Sequence, residues 1–186
     1  MGKTTTAQLF AEAGIPAWDA DAAVHRLYAP GGAAVRPIAQ LRPEAVMNDG
    51  ISRDALREWI AENPGALSQI ESVVHPLVAR DRREFITRNS DAPIVLLDIP
   101  LLYETGGASE VDAVVVVTAP AEVQRQRVLA RGSMSETEFN AILARQIPDD
   151  EKRARADYVI QTTTIEQARA AVQNIIDDIK ENRIHA

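Results

Sequence analysis

The sequence predicts an α/β protein built on a parallel sheet with helices on its faces. Two continuous apolar runs, at 94–99 (IVLLDI) and 113–118 (AVVVVT), are typical of strands that are covered on both sides. Weaker strand candidates lie at 15–18 and 158–161, and longer helical patterns separate these runs. Strands that alternate with helices favour parallel pairing through crossover helices.

Capping signals mark where several helices begin. Ser135 with Glu138 forms a capping-box pattern, which predicts a helix through Arg145. Thr164 with Gln167 forms the same pattern before the last helix. The predicted apolar stripe of that helix consists of Ile165, Ala168, Val172, Ile175, Ile176 and Ile179.

The region from about 33 to 88 is mostly helical in pattern and carries no strand signal. We expect it to form a helical lobe inserted between two strands, with turns at 31–32 (GG) and 48–50 (NDG). Within the lobe, Asn63-Pro64 fits an N-cap followed by the first residue of a helix.

Composition excludes several classes of protein. The 186 residues, 46% apolar and 25% charged, are the mix of one ordinary globular domain. No apolar run approaches the roughly 18 residues of a membrane span, and no cysteine is present to form a disulfide or a thiolate metal site. The net charge of −7 argues against binding to a nucleic-acid backbone. Without a basic, apolar leader, we expect a cytoplasmic protein with no membrane partner.

The amino end carries a fragment of a phosphate-binding loop. Gly2-Lys3-Thr4 matches the last three positions of the pattern G-x-x-x-x-G-K-[ST], directly before a predicted helix. Glycine lets backbone N–H groups turn toward phosphate, and the helix start adds unpaired donors. Lys3 would then reach the β- and γ-phosphates of a nucleotide, and the Thr4 hydroxyl would bind Mg²⁺. The alternative is the exposed start of a surface helix.

An acidic pair follows the first strand candidate. If residues 18–21 are extended, Asp19 and Asp21 project to the same face. One carboxylate would then help to order Mg²⁺ and its waters, and the other would accept a proton from a hydroxyl nucleophile. The alternative, which these residues alone favour, is that Asp21 or Asp19 caps the helix that runs to Tyr28.

Two arginines, an aspartate and a histidine complete the candidates. Arg127 and Arg131 lie four residues apart on one face of a predicted helix. Guanidinium groups that face a nucleotide would stabilise charge on a transferring phosphoryl group, whereas the alternative is a solvated helix surface. Asp98 directly follows the apolar residues 94–97 of a predicted strand, where it either supports Mg²⁺ or begins a turn. His75 precedes Pro76, which keeps it extended, so on its own it predicts a helix boundary.

Taken in order, these features resemble the dephospho-coenzyme A kinase family. The resemblance runs through nearly the whole chain, and the separations of its acidic triplet, its His-Pro-Leu and its Pro-Leu-Leu-x-Glu make it specific. The motifs that carry it are Gly2-Lys3-Thr4, Asp19-Ala20-Asp21, His75-Pro76-Leu77, 98–104 (DIPLLYE), Arg127, Arg131, Gln146 and 156–160 (ADYVI).

The resemblance implies one phosphate-loop kinase domain with a five-stranded parallel sheet. Its nucleotide-binding core would comprise residues 1–32, 89–131 and 147–186, with a helical substrate lobe at 33–88 and a lid at 132–146. It also implies transfer of the ATP γ-phosphate, with Mg²⁺, to the ribose 3′-hydroxyl of dephospho-coenzyme A, the last step of coenzyme A synthesis. The partners would be these two small molecules, and the protein would be a monomer or a weak homo-oligomer.

The same resemblance implies four sets of site residues. The nucleotide would be bound by Met1, Gly2, Lys3, Thr4, Thr5 and Arg131, and the metal by Thr4 and Asp19. Catalysis would use Lys3, Arg127 and Asp21, with Asp21 orienting and deprotonating the acceptor hydroxyl. The acceptor pocket would be formed by Asp19, Asp21, His75, Pro100, Leu101, Leu102 and Glu104.

The chain departs from the family pattern in three places. A basic residue usually stands four positions after the second aspartate, where this chain has His25 with Arg26 beside it. The last strand ends in 161–163 (QTT) rather than in an acidic or amide pair with glycine. The first strand and the front half of the loop would lie before Met1. We therefore expect Met1 to be an internal methionine of a longer natural chain; the alternative is a short, weakened or inactive member.

Two other functions stay open at this point. One is a non-catalytic protein that holds a coenzyme A-like ligand without turnover. The other is a kinase that acts on a different small hydroxyl substrate. Phosphorylation assays with dephospho-coenzyme A and with a panel of hydroxyl substrates separate the three.

Overall fold

A computed structural model describes residues 2–130, 132, 135–144 and 146–182. Short 3-10 turns lie at Pro43–Ala45 and Gly107–Glu110. In chain order the helices and strands are α1 (Lys3–Glu12), β1 (Ala17–Asp19), α2 (Ala20–Tyr28), α3 (Val35–Leu41), β2 (Val46–Met47), β3 (Gly50–Ile51), α4 (Arg53–Glu62), α5 (Ala66–Arg88), β4 (Leu96–Asp98), β5 (Val115–Thr118), α6 (Ala121–Ala130), α7 (Glu136–Leu143), α8 (Asp149–Arg155), β6 (Tyr158–Gln161) and α9 (Ile165–Asn182).

The strands pair in the way that an α/β fold requires. β5 and β6 are parallel, with Val115 opposite Tyr158 and Thr118 opposite Gln161, and helices α6, α7 and α8 lie between them in the chain. β1 pairs with β4. The parallel pair and its intervening helices confirm the predicted fold class. The observed β4 and β5 are shorter than the predicted apolar runs by two residues or more.

The chain divides into two compact units, one of residues 1–17 and 100–186 and the other of residues 18–99. In the first unit, α9 packs on β6 and on α1. Four residues of the predicted α9 stripe are buried, namely Ala168, Val172, Ile175 and Ile176. The prediction that Ile165 belongs to this buried stripe is wrong. Ile165 is the first residue of the helix and is 51% exposed.

The second unit has its own core of helices. The cluster includes Ile38, Trp59 and Ile70, contributed by α3, α4 and α5. Ile38 is fully buried, and Trp59 is buried as well. Burial of such side chains contributes roughly 1.5–3 kcal/mol each, which offsets much of the entropy cost of ordering these helices.

Residues 33–88, whose sequence carries no strand signal, contain two short strands. β2 and β3 form a short antiparallel hairpin, with Val46 opposite Ile51. Asn48 and Asp49, which join them, have φ angles of 51° and 61°. Two consecutive positive φ angles favour a two-residue hairpin turn, and Asn and Asp tolerate this backbone better than most residues. The strands are too short to show a hydrophobic alternation in the sequence.

The predicted helix boundary at His75-Pro76 is also wrong. α5 continues through Pro76, although proline removes one backbone hydrogen bond and costs about 3 kcal/mol in a helix interior. Val74, before the proline in the sequence, is buried in the core of this unit. Leu77, directly after the proline, packs against the same core. Tertiary packing on both sides of Pro76 therefore outweighs the local preference.

The capping signals give mixed results. Ser135 and Glu138 form a complete capping box, and α7 follows it and ends at Leu143; Arg145, the predicted end, lies outside the described residues. Thr164 Oγ1 accepts from the Gln167 N–H at 3.2 Å. Asn63 is not the N-cap of α5, which begins at Ala66.

Candidate active site

The Gly-Lys-Thr segment lies at the start of α1, as the loop pattern predicts. Gly2 is the N-cap, and no side chain caps the helix. The side chain of Lys3 is half-buried, whereas Thr4 and Thr5 are exposed. A helix start without a capping side chain leaves N–H donors and a positive dipole end available to an anion. Met1 lies outside the described residues.

Thr162 connects this helix start to Arg127. A Cβ atom on residue 2 would lie only 2.7 Å from Thr162 Cγ2, so Gly2 packs against Thr162 in a way that only glycine permits. The Thr162 hydroxyl donates to the Thr118 carbonyl at 3.1 Å and accepts from Arg127 Nη1 at 3.4 Å. Gly2 and the Arg127 guanidinium therefore both contact one threonine. Arg131, the other predicted arginine, lies outside the described residues.

A cavity of about 230 Å³ opens where β5 and β6 end. Open α/β sheets bind ligands beyond the carboxyl ends of their strands. Asp149, at the start of α8, accepts a hydrogen bond from Thr118 Oγ1 at 2.8 Å and pairs with Arg153 at 3.2 Å. The residues that line the cavity are Thr118, Ala119, Pro120, Ala121, Asp149, Arg153 and Gln161.

The predicted acceptor segment after β4 folds into consecutive turns. Pro100 and Leu101 are exposed and Leu102 is half-buried, which leaves apolar surface at these positions. Glu104 differs, because its carboxylate is 2.6 Å from Lys152 Nζ and also accepts the Ile147 N–H at 3.2 Å. One oxygen of the Glu104 carboxylate thus already has two partners within the protein, whereas the sequence predicted that Glu104 binds the acceptor.

The junction of β1 and α2, which carries Asp19 and Asp21 and is called the acidic corner below, differs from the extended geometry that the sequence predicted. β1 ends at Asp19 and α2 begins at Ala20, so residues 18–21 are not extended throughout. Asp19 is the N-cap, and its Oδ1 accepts from the Ala22 N–H at 2.8 Å. Asp21 lies in the first turn of α2 with an exposed side chain. The capping alternative is thus correct for Asp19, and Asp21 keeps its carboxylate at the helix start.

A half-buried carboxylate on α5, that of Asp81, supports this corner. Asp81 Oδ1 accepts from Trp18 Nε1 and from Arg26 Nη2, each at 2.7 Å. Burial acts to raise the pKa of the Asp81 carboxyl, but the hydrogen bonds from Trp18 and Arg26, with the charges of Arg26 and Arg88, outweigh it and hold that pKa below its usual value. Arg26 therefore binds Asp81. No local pattern in the sequence indicated this contact between α2 and α5.

The other candidates lie in contrasting surroundings. His75 is exposed on α5, at a distance in sequence from the acidic corner. Asp98 is the last residue of β4 and is only 8% exposed.

Three contacting residues were missed by sequence reasoning: Thr162, Lys152 and Asp81. The partners lie 35 to 63 residues away in the sequence: Thr162 contacts Arg127, Lys152 contacts Glu104 and Asp81 contacts Trp18. Periodicity and capping patterns report contacts within one element, so they carried no signal for these.

A magnesium site made of protein ligands alone is not found. Within the described part of the chain, no group of three or more His, Asp or Glu side chains converges to hold a metal ion. The exposed Thr4 hydroxyl at the start of α1 fits Mg²⁺ nonetheless, because this ion takes oxygen ligands and usually keeps several waters and substrate phosphates. Among the same residues, no helix has the length and apolar character needed to span a membrane.

A helix that starts at Gly-Lys-Thr, beside an arginine at the ends of parallel strands, is typical of α/β proteins that bind nucleotide phosphates. A family model described as "Dephospho-CoA kinase" matches residues 1–167. The dephospho-CoA kinase of Cereibacter sphaeroides is 59% identical over 181 residues, which cover 97% of this chain and 91% of that protein. The chain belongs to the dephospho-CoA kinase family.

Two further comparisons agree with this assignment. The dephospho-CoA kinase of Ruegeria pomeroyi is 53% identical over 186 residues, covering 100% of this chain and 94% of that protein. The crystal structure of TT1252 from Thermus thermophilus matches with a TM-score of 0.82 at 34% identity, covering 96% of this chain and 92% of that chain. The predicted class of enzyme, a kinase of the last step of coenzyme A biosynthesis that uses ATP with Mg²⁺, is confirmed at the level of the family.

Proposed function

We propose that this chain transfers the γ-phosphoryl group of ATP to the ribose 3′-hydroxyl of dephospho-coenzyme A, with Lys3, Arg127 and Asp21 as its catalytic residues. The observation that carries the proposal is the contact of Gly2 and Arg127 with Thr162 at the ends of β5 and β6. A phosphate chain bound there meets backbone donors on one side and a guanidinium on the other.

The residues of the α1 start would bind and orient the nucleotide. Backbone N–H groups at the start of α1 hold phosphate oxygens, and the Lys3 ammonium follows the β- and γ-phosphates. Magnesium, when bound, neutralises negative charge on those phosphates. Thr4 is the hydroxyl that would hold it, and Asp19, whose Oδ2 is not used by the cap to Ala22, would hold its waters.

Asp21 would carry the proton transfer. Its carboxylate accepts the proton of the ribose 3′-hydroxyl as the 3′-oxygen forms a bond to the γ-phosphorus and the bond to the β-γ bridging oxygen breaks. ADP leaves, and the Arg127 guanidinium stabilises the charge that develops on the transferring group. His75, the exposed Pro100 and Leu101, and the half-buried Leu102 would contact the acceptor.

Substitution of Asp21 by Asn tests this assignment. Asp21→Asn keeps the size of the side chain but removes the base, so we expect kcat to fall by about 10²- to 10⁴-fold while ATP affinity stays within about threefold. Asp49→Asn, the same change at an exposed turn residue of the same unit, is the control and should leave both quantities unchanged. Steady-state kinetics and isothermal titration with ATP measure them. Equal losses of turnover and ATP binding would make Asp21 a structural residue.

We also propose that the protein acts in the cytoplasm, on small-molecule substrates alone, as a monomer or a weak homo-oligomer. Its acidic composition and the absence of cysteine are consistent with this environment. Light scattering at several protein concentrations measures the oligomeric state, and a concentration-independent dimer mass would contradict the proposal.

A further inference from the structure

Glu104 and Lys152 form a shielded ion pair between two segments of the same unit. Lys152 Nζ is 2.6 Å from Glu104 Oε1, and the side chains are only 17% and 16% exposed. The Ile147 N–H donates to the same oxygen at 3.2 Å. The other oxygen, Oε2, is buried and has no hydrogen-bond partner among the described residues. The carboxylate is therefore directed into the protein, where removal of its cation leaves an uncompensated charge.

The charge state of Glu104 agrees with this geometry. Burial acts to raise the pKa of its carboxyl, but hydrogen bonds from Lys152 and from backbone N–H groups outweigh it and hold that pKa below the usual value. Glu104 is thus ionised at neutral pH and attracts Lys152 at full charge.

The neighbouring residue makes a second connection between the same segments. The guanidinium of Arg155 lies 4.4 Å from the centre of the Tyr103 ring, a cation–π distance. Lys152 and Arg155 both belong to α8, and Arg155 is its last residue. Two adjacent residues after β4, Tyr103 and Glu104, therefore fix one face of α8.

The other end of α8 reaches the cavity at the strand ends. Asp149, its first residue, accepts the Thr118 hydroxyl and pairs with Arg153, and all three residues line the cavity. A shift of α8 would move Asp149 and Arg153 away from the end of β5. The position of α8 thus determines the shape of this cavity.

We propose that Glu104 and Lys152 are positioning residues, which hold α8 against the end of β5 and so act on the nucleotide rather than on the acceptor. This assignment differs from the acceptor-pocket role that the sequence resemblance implies for Glu104. Its kinetic consequences rest on the proposed function, whereas its structural consequences do not.

Two single variants and their combination test the proposal. Glu104→Gln and Lys152→Met should each accelerate backbone hydrogen exchange at residues 147–155 in the ligand-free protein, because each breaks the ion pair. Each should also raise the KM for ATP by about five- to tenfold, with the KM for dephospho-coenzyme A changed less than twofold. The double variant should add little to either single one. Lys152→Arg should keep most of the wild-type behaviour, because it keeps the charge.

Lys180→Met provides the matched control, since Lys180 is an exposed lysine of α9. It should leave hydrogen exchange at 147–155 and both KM values unchanged. Because exchange is measured without substrate, it reports on the ion pair even if the chain shows no kinase activity.

Two results would overturn the proposal. One is a Glu104→Gln variant with a raised KM for dephospho-coenzyme A and unchanged exchange at 147–155, which would make Glu104 an acceptor contact. The other is loss of the fold in Lys152→Met together with wild-type exchange in Glu104→Gln, since the two residues would then not act as a pair.

Discussion

At the scale of single residues, the site depends on contacts between positions far apart in the sequence. Gly2 packs against Thr162, and Thr162 accepts a hydrogen bond from Arg127. The sequence predicted Gly2 and Arg127 from their chemical types and from their order among the other motifs. It did not predict Thr162, because a threonine after a strand has no distinctive pattern and its partners, Gly2, Thr118 and Arg127, come from both chain segments of the unit.

Arg127 and Arg125 allow a matched test on one helix. Arg127→Ala should lower kcat/KM by about 10²- to 10³-fold, because its guanidinium would stabilise charge on the transferring phosphoryl group. Arg125→Ala removes an exposed arginine that pairs with Glu122 and Glu136, so it should change kcat/KM less than twofold. Steady-state kinetics with ATP and dephospho-coenzyme A give both values. A loss below tenfold in Arg127→Ala would place this side chain outside the reaction.

At the scale of elements, strands with continuous apolar sequence were easier to predict than short hairpins and helix boundaries. Continuous apolar runs predicted β4 and β5, because a strand that is covered on both faces needs apolar side chains throughout. The hairpin of β2 and β3 and the passage of α5 through Pro76 were not predictable, since tertiary packing and a two-residue turn decide them. The contact that Asp81 of α5 makes with β1 and α2 was not predictable either, because it joins residues far apart in the sequence.

Asp81→Asn tests how much this contact stabilises the corner. Trp18 and Arg26 donate to a charged acceptor that is 21% exposed, so at pH 7 we expect the free energy of unfolding to fall by about 1–3 kcal/mol. The emission of Trp18 should change as well, because its indole N–H loses a carboxylate partner. Asp91→Asn, at an exposed aspartate of the same unit, should leave the free energy of unfolding unchanged.

The same variant has a defined pH dependence. Because the pKa of Asp81 is lowered in the folded protein, its contribution is present above the ordinary value of 3.8 and is lost as the pH falls through the folded value. The difference between wild type and Asp81→Asn in urea unfolding should therefore narrow as the pH is lowered from 7 toward 3. A difference that stays constant over this range would show that the Asp81 charge contributes nothing.

At the scale of the whole molecule, the order of weak motifs predicted the function better than any one of them. Gly-Lys-Thr occurs in many chains and an Asp-Ala-Asp often caps a helix, as Asp19 does here. Their succession, together with His-Pro-Leu and Pro-Leu-Leu-Tyr-Glu, resembled one kinase family, and the match over residues 1–167 confirms it. The roles of single residues were less predictable, because a motif does not show which partner a side chain such as Glu104 finds in the folded chain.

Direct product analysis tests the central claim. The purified 186-residue chain, and a chain extended by any in-frame codons upstream, are incubated with ATP, Mg²⁺ and dephospho-coenzyme A, and coenzyme A and ADP are quantified together. We predict that coenzyme A forms in an amount equal to ADP, only when all three components are present, and that Asp21→Asn slows the formation of both products by the same factor, about 10²- to 10⁴-fold. Failure of both chains to form coenzyme A, with the folded state verified, would contradict the account.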